Sequence, residues 1–246
     1  MINFLSLSYH TIIYQPLLNV LVVLYNTLAF GDMGVAIILL TILIRLLLYP
    51  VFHKGVRQQT VMQKMQPELK KLQEKHWEDP REQFSAIRSL YREHGANPFS
   101  GFLLLLVQIP VIIALFHIAQ NILKPDALGA LYSFVGVPAE ISHTFLGLIN
   151  LDERSIVVVG IAAILQYFQA RLSLAQRPAG AGTMQEKMTR QMAFLMPIVV
   201  FFAFLNLPAA VSLYWLTSSA FSLFQQYAVN RELSHGTDRG IYKKTS

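Results

Sequence analysis

MGVAIILLTILIRLLLYPVF, residues 33–52, is the stretch whose reading decides the fold. Its length matches the ~20 apolar residues that a helix needs to cross a bilayer. The only interruptions are Thr41, Tyr49 and one charge, Arg45. Pro50 is expected to distort the last turn, because proline has no N–H to donate. The composition of the whole chain agrees with this reading. Hydrophobic residues make up 54% of it, charged residues only 14%, and the mean hydropathy is +0.44. Soluble domains carry about 25% charged residues, so much of this chain is expected to meet lipid. There is no Cys, which excludes a disulfide scaffold and a thiol nucleophile.

On the N-terminal side, Pro16 to Phe30 is apolar but short for a span. Gln15, Asn19 and Asn26 fall near one helical face, which favours a helix lying at the membrane interface; a sixth span is the alternative. Residues 1–30 contain no Lys or Arg, so the basic start of a signal peptide is not expected.

On the C-terminal side the character changes. Residues 54–97 hold nine basic and six acidic side chains, with Val61, Met65, Leu69 and Leu72 at helical spacing. After a break at His76–Glu78, Asp79 is expected to cap a second helix, with Pro80 in its first turn, Glu82 closing a capping box and Gly95 ending it. The two helices form a hairpin, expected to be a mobile arm. Further apolar runs follow.

The chain thus divides into an outer-face interfacial amphipathic helix (1–32), a first span (33–53), a cytoplasmic helical hairpin (54–97), a second span (98–123) and an extracytoplasmic loop (124–154). A third span (155–171), a cytoplasmic loop (172–190), a fourth span (191–207), a fifth span (209–228) and a basic cytoplasmic tail (229–246) complete it. The expected fold is an all-α integral membrane protein with five transmembrane helices. Orientation follows from Lys and Arg: the hairpin, Arg171 with Arg177, Lys187 and Arg190, and the tail's Arg231, Arg239, Lys243 and Lys244 alternate with nearly uncharged or acidic segments. The positive-inside rule then places the N-terminus outside and the C-terminus in the cytoplasm.

Arg45 is the sharpest feature. An arginine at mid-bilayer costs at least ~2.5–3.5 kcal/mol. It lies nine residues before Lys54, about 13 Å at ~1.5 Å per residue, too far for comfortable snorkelling. No span contains Asp or Glu. An arginine in a water-filled cavity, open to an outside ligand, is favoured over a structural one. Tyr214, Ser218, Ser222 and Gln225 recur on one face of the last span, with Thr217 near them. Gln108, Gln166 and Gln169 add hydrogen-bonding groups from other spans. Such residues also glue helices together, and His117 reads as packed. There is no phosphate loop, metal-ligand cluster, nucleophile elbow or pair of span carboxylates, so no cofactor is expected, and a lipid-modifying enzyme is the weaker third option because no nucleophile–base set appears. A small-solute transporter or channel is the competing class, but coupled carriers usually place acids within their spans.

Three motifs together resemble the YidC/Oxa/Alb family of membrane protein insertases. They are Asn97 to Pro110, reading NPFSGFLLLLVQIP; Leu213-Tyr214-Trp215-Leu216-Thr217 with Gln225-Gln226; and Arg45 before Tyr49-Pro50 with Met65-Gln66-Pro67-Glu68. The resemblance covers about residues 16–231. It implies a five-span core with a groove open to the cytoplasm and to lipid. In that groove Arg45 receives hydrophilic segments of nascent membrane proteins without ATP, and Tyr214 and Trp215 match the aromatic pair of the last span. It implies a bacterial inner-membrane location, with the Sec translocon and the ribosome as possible partners and no specific nucleic-acid site. Unlike some relatives, the sequence shows no large extracytoplasmic domain and no lipobox Cys, and its tail is short.

Overall fold

Asp32 sets where the first decisive helix begins. One of its carboxylate oxygens accepts from Val35 N–H at 2.9 Å, capping α2 (Met33–Leu47). The other accepts from Leu146 N–H at 2.6 Å, tying that helix start to a distant loop. The computed structural model describes residues 7–121, 129–174 and 184–235. The Pro178–Gly182 linker, Lys124, Pro125 and Asp126, Arg177 and the tail's Arg239, Lys243 and Lys244 lie outside these residues, as do the side chains of Lys187 and Arg190.

Ahead of Asp32, α1 spans Leu7–Thr27 and contains a π-helical turn at His10–Tyr14. It starts well before Pro16, and it is long and apolar enough to cross a membrane. Its polar face does not look outward. Gln15 and Asn19 donate to Ala130 C=O at 3.1 and 3.2 Å. Asn19 also accepts from Tyr132 N–H at 2.6 Å, and Asn26 donates to Gly136 C=O at 2.7 Å. The Tyr25 hydroxyl donates to Glu140 C=O and accepts from Ser142 N–H. A loop packed over apolar helices must find partners for its own backbone, and α1 provides them.

After α2 the chain bends by 70° into α3 (Tyr49–Lys64). Pro50 causes no break within a helix. It sits in the first turn of α3, where its missing N–H is not needed. Next come α4 (Gln66–Lys75) and α5 (Pro80–Glu93), packed on each other. Asp79 caps α5 through Arg81 N–H and Glu82 N–H, as expected. The Glu82 side chain instead pairs with His76 at 3.3 Å. His94 with Glu68, and Gln83 with Gln73 C=O, join the two helices. Of their apolar residues only Leu90 is buried, while Trp77 and Phe84 are exposed.

The remaining elements are α6 (Ser100–Asn121), a two-residue ladder of β1 (Thr144–Phe145) and β2 (Ile149–Asn150), α7 (Ile156–Leu174), α8 (Met184–Phe204) and α9 (Ala209–His235). The ladder is antiparallel, with Phe145 opposite Ile149. Phe145 presses on Gly34, where an added Cβ would come within 2.4 Å of its ring. The fold is that of an all-α membrane protein. By length and apolar composition α1, α6 and α7 can each cross a bilayer, and α2 with α3 can do so as one bent pair. α8 is apolar only over Phe194–Phe204, and α9 is long but diluted by Ser, Thr and Gln.

α9 is the centre of the assembly, packing on α7, α2, α3 and α6. The main apolar core gathers Leu18, Leu21, Val22, Leu40, Ile118 and Leu213 from α1, α2, α6 and α9, with Val135 of the loop. A small second cluster, Val56, Val229 and Leu233, joins α3 to α9 at the other end. Arg45 and the polar face of α9 lie between these clusters along the sequence of both helices.

Candidate functional site

The bend between α2 and α3 builds the site. It turns Phe52 back toward the last turn of α2, and the Arg45 guanidinium sits 4.3 Å from the centre of the Phe52 ring. A cation over an aromatic face gains about 0.5–2 kcal/mol, more where water is excluded. Arg45 is only 7% exposed. Among the described residues it has no hydrogen-bond or ion-pair partner. Its charge lies within electrostatic reach of Tyr214 on α9.

Tyr214 is buried and accepts a hydrogen bond from the Gln108 amide of α6. Arg45, Gln108 and Tyr214 therefore come together from α2, α6 and α9. Down the same face of α9 follow Ser218 and Gln225 at four- and eleven-residue steps, which return to one side of a helix. Both are buried. Both amide atoms of Gln225 have no hydrogen-bond partner among the described residues, while the Ser218 hydroxyl lies against that of Tyr214. Buried polar groups are paired in more than about 90% of cases, so the Gln225 amide stands out on this face. Ser222 is half-buried alongside.

Other expected members behave differently. Trp215, one residue from Tyr214, turns about 100° away toward α8, and its ring stacks 4.6 Å from Phe204. Its indole N–H has no partner among the described residues. Thr217 donates its hydroxyl to Leu213 C=O in its own helix at 2.8 Å, so that donor is already used. Gln166 and Gln169 are half-buried on the face of α7 that also carries the buried Val158, Val159 and Ala162. The Gln166 carbonyl oxygen has no partner among the described residues.

Phe52 and Phe221 escaped the sequence reading. Phe221 meets Tyr49 edge-on, and its spacing of seven from Tyr214 was the available signal. A polar chain near the end of α9 was also missed. Gln226 donates to Thr60 at 3.1 Å and to Asn230 at 2.9 Å, and Asn230 donates to Leu172 C=O at 3.1 Å. Its members satisfy one another and lock α3, α7 and α9 together. The adjacent glutamines 225 and 226 thus have opposite fates, one unpartnered and one fully engaged.

A family model described as 60Kd inner membrane protein matches residues 24–236. Among similar proteins, a membrane protein insertase YidC of Geobacter sulfurreducens is 31% identical over 230 residues, covering 94% of this chain and 39% of that protein. One of Pelobacter propionicus is 32% identical, covering 92% of this chain and 40% of that protein. The chain thus spans about two-fifths of the length of these two relatives. One of Fusobacterium nucleatum is 32% identical over 222 residues, covering 89% of this chain and 98% of that protein.

Proposed function

The chain belongs to the 60Kd inner membrane protein family, and from that premise we propose that it is a membrane protein insertase working through the groove of Arg45, Gln108, Tyr214, Ser218, Ser222 and Gln225. Gln166, Gln169, Trp215 and Thr217 form its supporting wall. The observation that carries this reading is the buried Arg45, without an acidic partner among the described residues, beside a helix face whose buried Gln225 amide has no partner among them either.

The chemistry follows from these groups. In a partly desolvated cavity, charges interact more strongly than in water. Arg45 attracts acidic side chains or the carbonyl oxygens of an incoming polar segment. The Gln225 amide and the Ser218 and Ser222 hydroxyls offer it hydrogen bonds in place of water. The apolar part of α8, Phe194–Phe204, is about 16 Å long at ~1.5 Å per residue, against a hydrocarbon core of ~30 Å. A short helix thins the bilayer near it, which shortens the distance the polar segment travels. The client's apolar helix then leaves into lipid, driven by its own hydrophobic transfer. No nucleotide is consumed. The packed core around Leu18, Leu40 and Leu213 supports a blind groove rather than a transmembrane pore, and so insertion over solute transport.

The five spans of this reading are α2 with its bend, α6, α7, α8 and α9. The N-terminus lies outside and the C-terminus in the cytoplasm of a bacterial inner membrane. Nascent membrane proteins are the clients, with the Sec translocon and the ribosome as partners. Site-specific photocrosslinking tests the groove. A probe at Ser222 is expected to capture nascent membrane chains, and one at Trp215, turned to α8, to capture far fewer. Equal capture from both positions, or none from Ser222, contradicts the assignment.

A further inference from the structure

The face of α7 opposite Gln166 and Gln169 carries a second feature. Ile164, Tyr167 and Phe168 line it at helical spacing. Phe194, Pro197, Ile198 and Phe201 of α8 face them across an open cleft of about 730 Å³. The Tyr167 ring lies 5.6 Å from that of Phe194. The lining is apolar apart from the Tyr167 hydroxyl. One helical turn beyond Tyr167, on the same face, stands Arg171, exposed and without an ion-pair or hydrogen-bond partner among the described residues.

We propose that this cleft is a phospholipid site, in which an acyl chain lies between α7 and α8 and Arg171 holds the phosphate of an anionic headgroup. The charge and the apolar slot are arranged in the order of a lipid's own parts: cation at the end of the helix, a tyrosine hydroxyl next, then aromatic and aliphatic walls. The seven residue steps of α8 from Phe194 to Phe201 give the slot a length of only about 10 Å at ~1.5 Å per residue. A client or partner helix would cross ~30 Å of hydrocarbon and would leave most of its length uncovered here. A flexible chain fits the short slot, and its headgroup reaches the arginine. The volume lies within the ~300–1,000 Å³ of ordinary ligand pockets. This inference rests on α7 and α8 lying in the bilayer, and not on the insertase reading of the groove.

The test uses the full chain in phosphatidylcholine vesicles doped with phosphatidylglycerol that carries a photoactivatable acyl chain. Labelled peptides are mapped by mass spectrometry, and the exposed Leu105–Ile109 face of α6 serves as the internal reference. Label is expected to concentrate on the Tyr167–Phe168 and Phe194–Phe201 segments. Arg171→Gln is expected to lower it there about fivefold, the effect of one basic residue at an anionic surface, with α6 labelling unchanged. Ile198→Trp, which fills the slot, is expected to abolish it without touching the charge. A phosphatidylcholine probe should label the cleft no more than α6. Labelling equal on both faces and indifferent to both substitutions would overturn the proposal. So would displacement of the probe by a bound client helix, which would make the cleft a helix-docking surface.

Discussion

The two halves of the molecule use the same side chains to opposite ends. Where α1 meets the 129–142 loop, every amide and hydroxyl considered is engaged: Gln15, Asn19, Tyr25 and Asn26 each hold a backbone group. Along α9, beyond Tyr214, the buried Gln225 amide holds nothing among the described residues. Asn19 and Tyr25 are buried like Gln225, so polarity alone does not distinguish structure from function. Satisfaction does. An engaged amide fixes a fold, while an unpaired buried amide is a standing cost that a client, or water, relieves.

This contrast can be broken most directly at Asn19, where the largest effect is expected. Asn19 is 3% exposed and serves both Ala130 C=O and Tyr132 N–H. Asn19→Leu would leave Tyr132 N–H without its acceptor and Ala130 C=O with Gln15 alone, and is expected to destabilise the fold by about 1–3 kcal/mol, read as a lower denaturation midpoint in detergent. At Gln225 the same swap has the opposite sense. The amide has no protein partner to lose, so Gln225→Leu is expected to leave stability within about 1 kcal/mol of the parent, or to raise it. Insertion of polar-flanked clients should nevertheless slow in reconstituted vesicles. If Gln225→Leu unfolds the protein as readily as Asn19→Leu, the two halves do not differ in the way described.

The sequence made some of this legible and hid the rest for physical reasons. Arg45 stood out because a charge in an apolar run of 20 residues is expensive, and Tyr214, Ser218 and Gln225 because helical spacing places them together. Asp79 and Pro80 announced the start of α5 through local capping chemistry. The partners of α1 could not be read. Asn19 and Tyr132 are more than a hundred residues apart, and only the folded chain shows that the polar face of α1 serves a loop. The π-turn at His10–Tyr14 carries the helix back to Leu7 through Tyr9 and His10, residues whose polarity masked its start. Pro50 marked a break correctly, but whether a proline kinks one helix or starts the next depends on the turn it occupies. Trp215 follows Tyr214 in the motif, and a single residue's rotation about the helix sends it to a different neighbour.

The most direct test of the central claim is the rate of insertion by Arg45→Ala into reconstituted vesicles, measured for paired clients that differ only in acidic or neutral residues in the translocated segment. In the proposed groove the charge of Arg45 is the part expected to discriminate between them. The acidic client is expected to slow about tenfold, since a partly desolvated charge pair contributes a few kcal/mol and 1.4 kcal/mol is already tenfold. The neutral client should slow much less, and Arg45→Lys should retain part of the acidic client's rate. Equal, parental rates for both clients with Arg45→Ala would contradict the charge-receiving role.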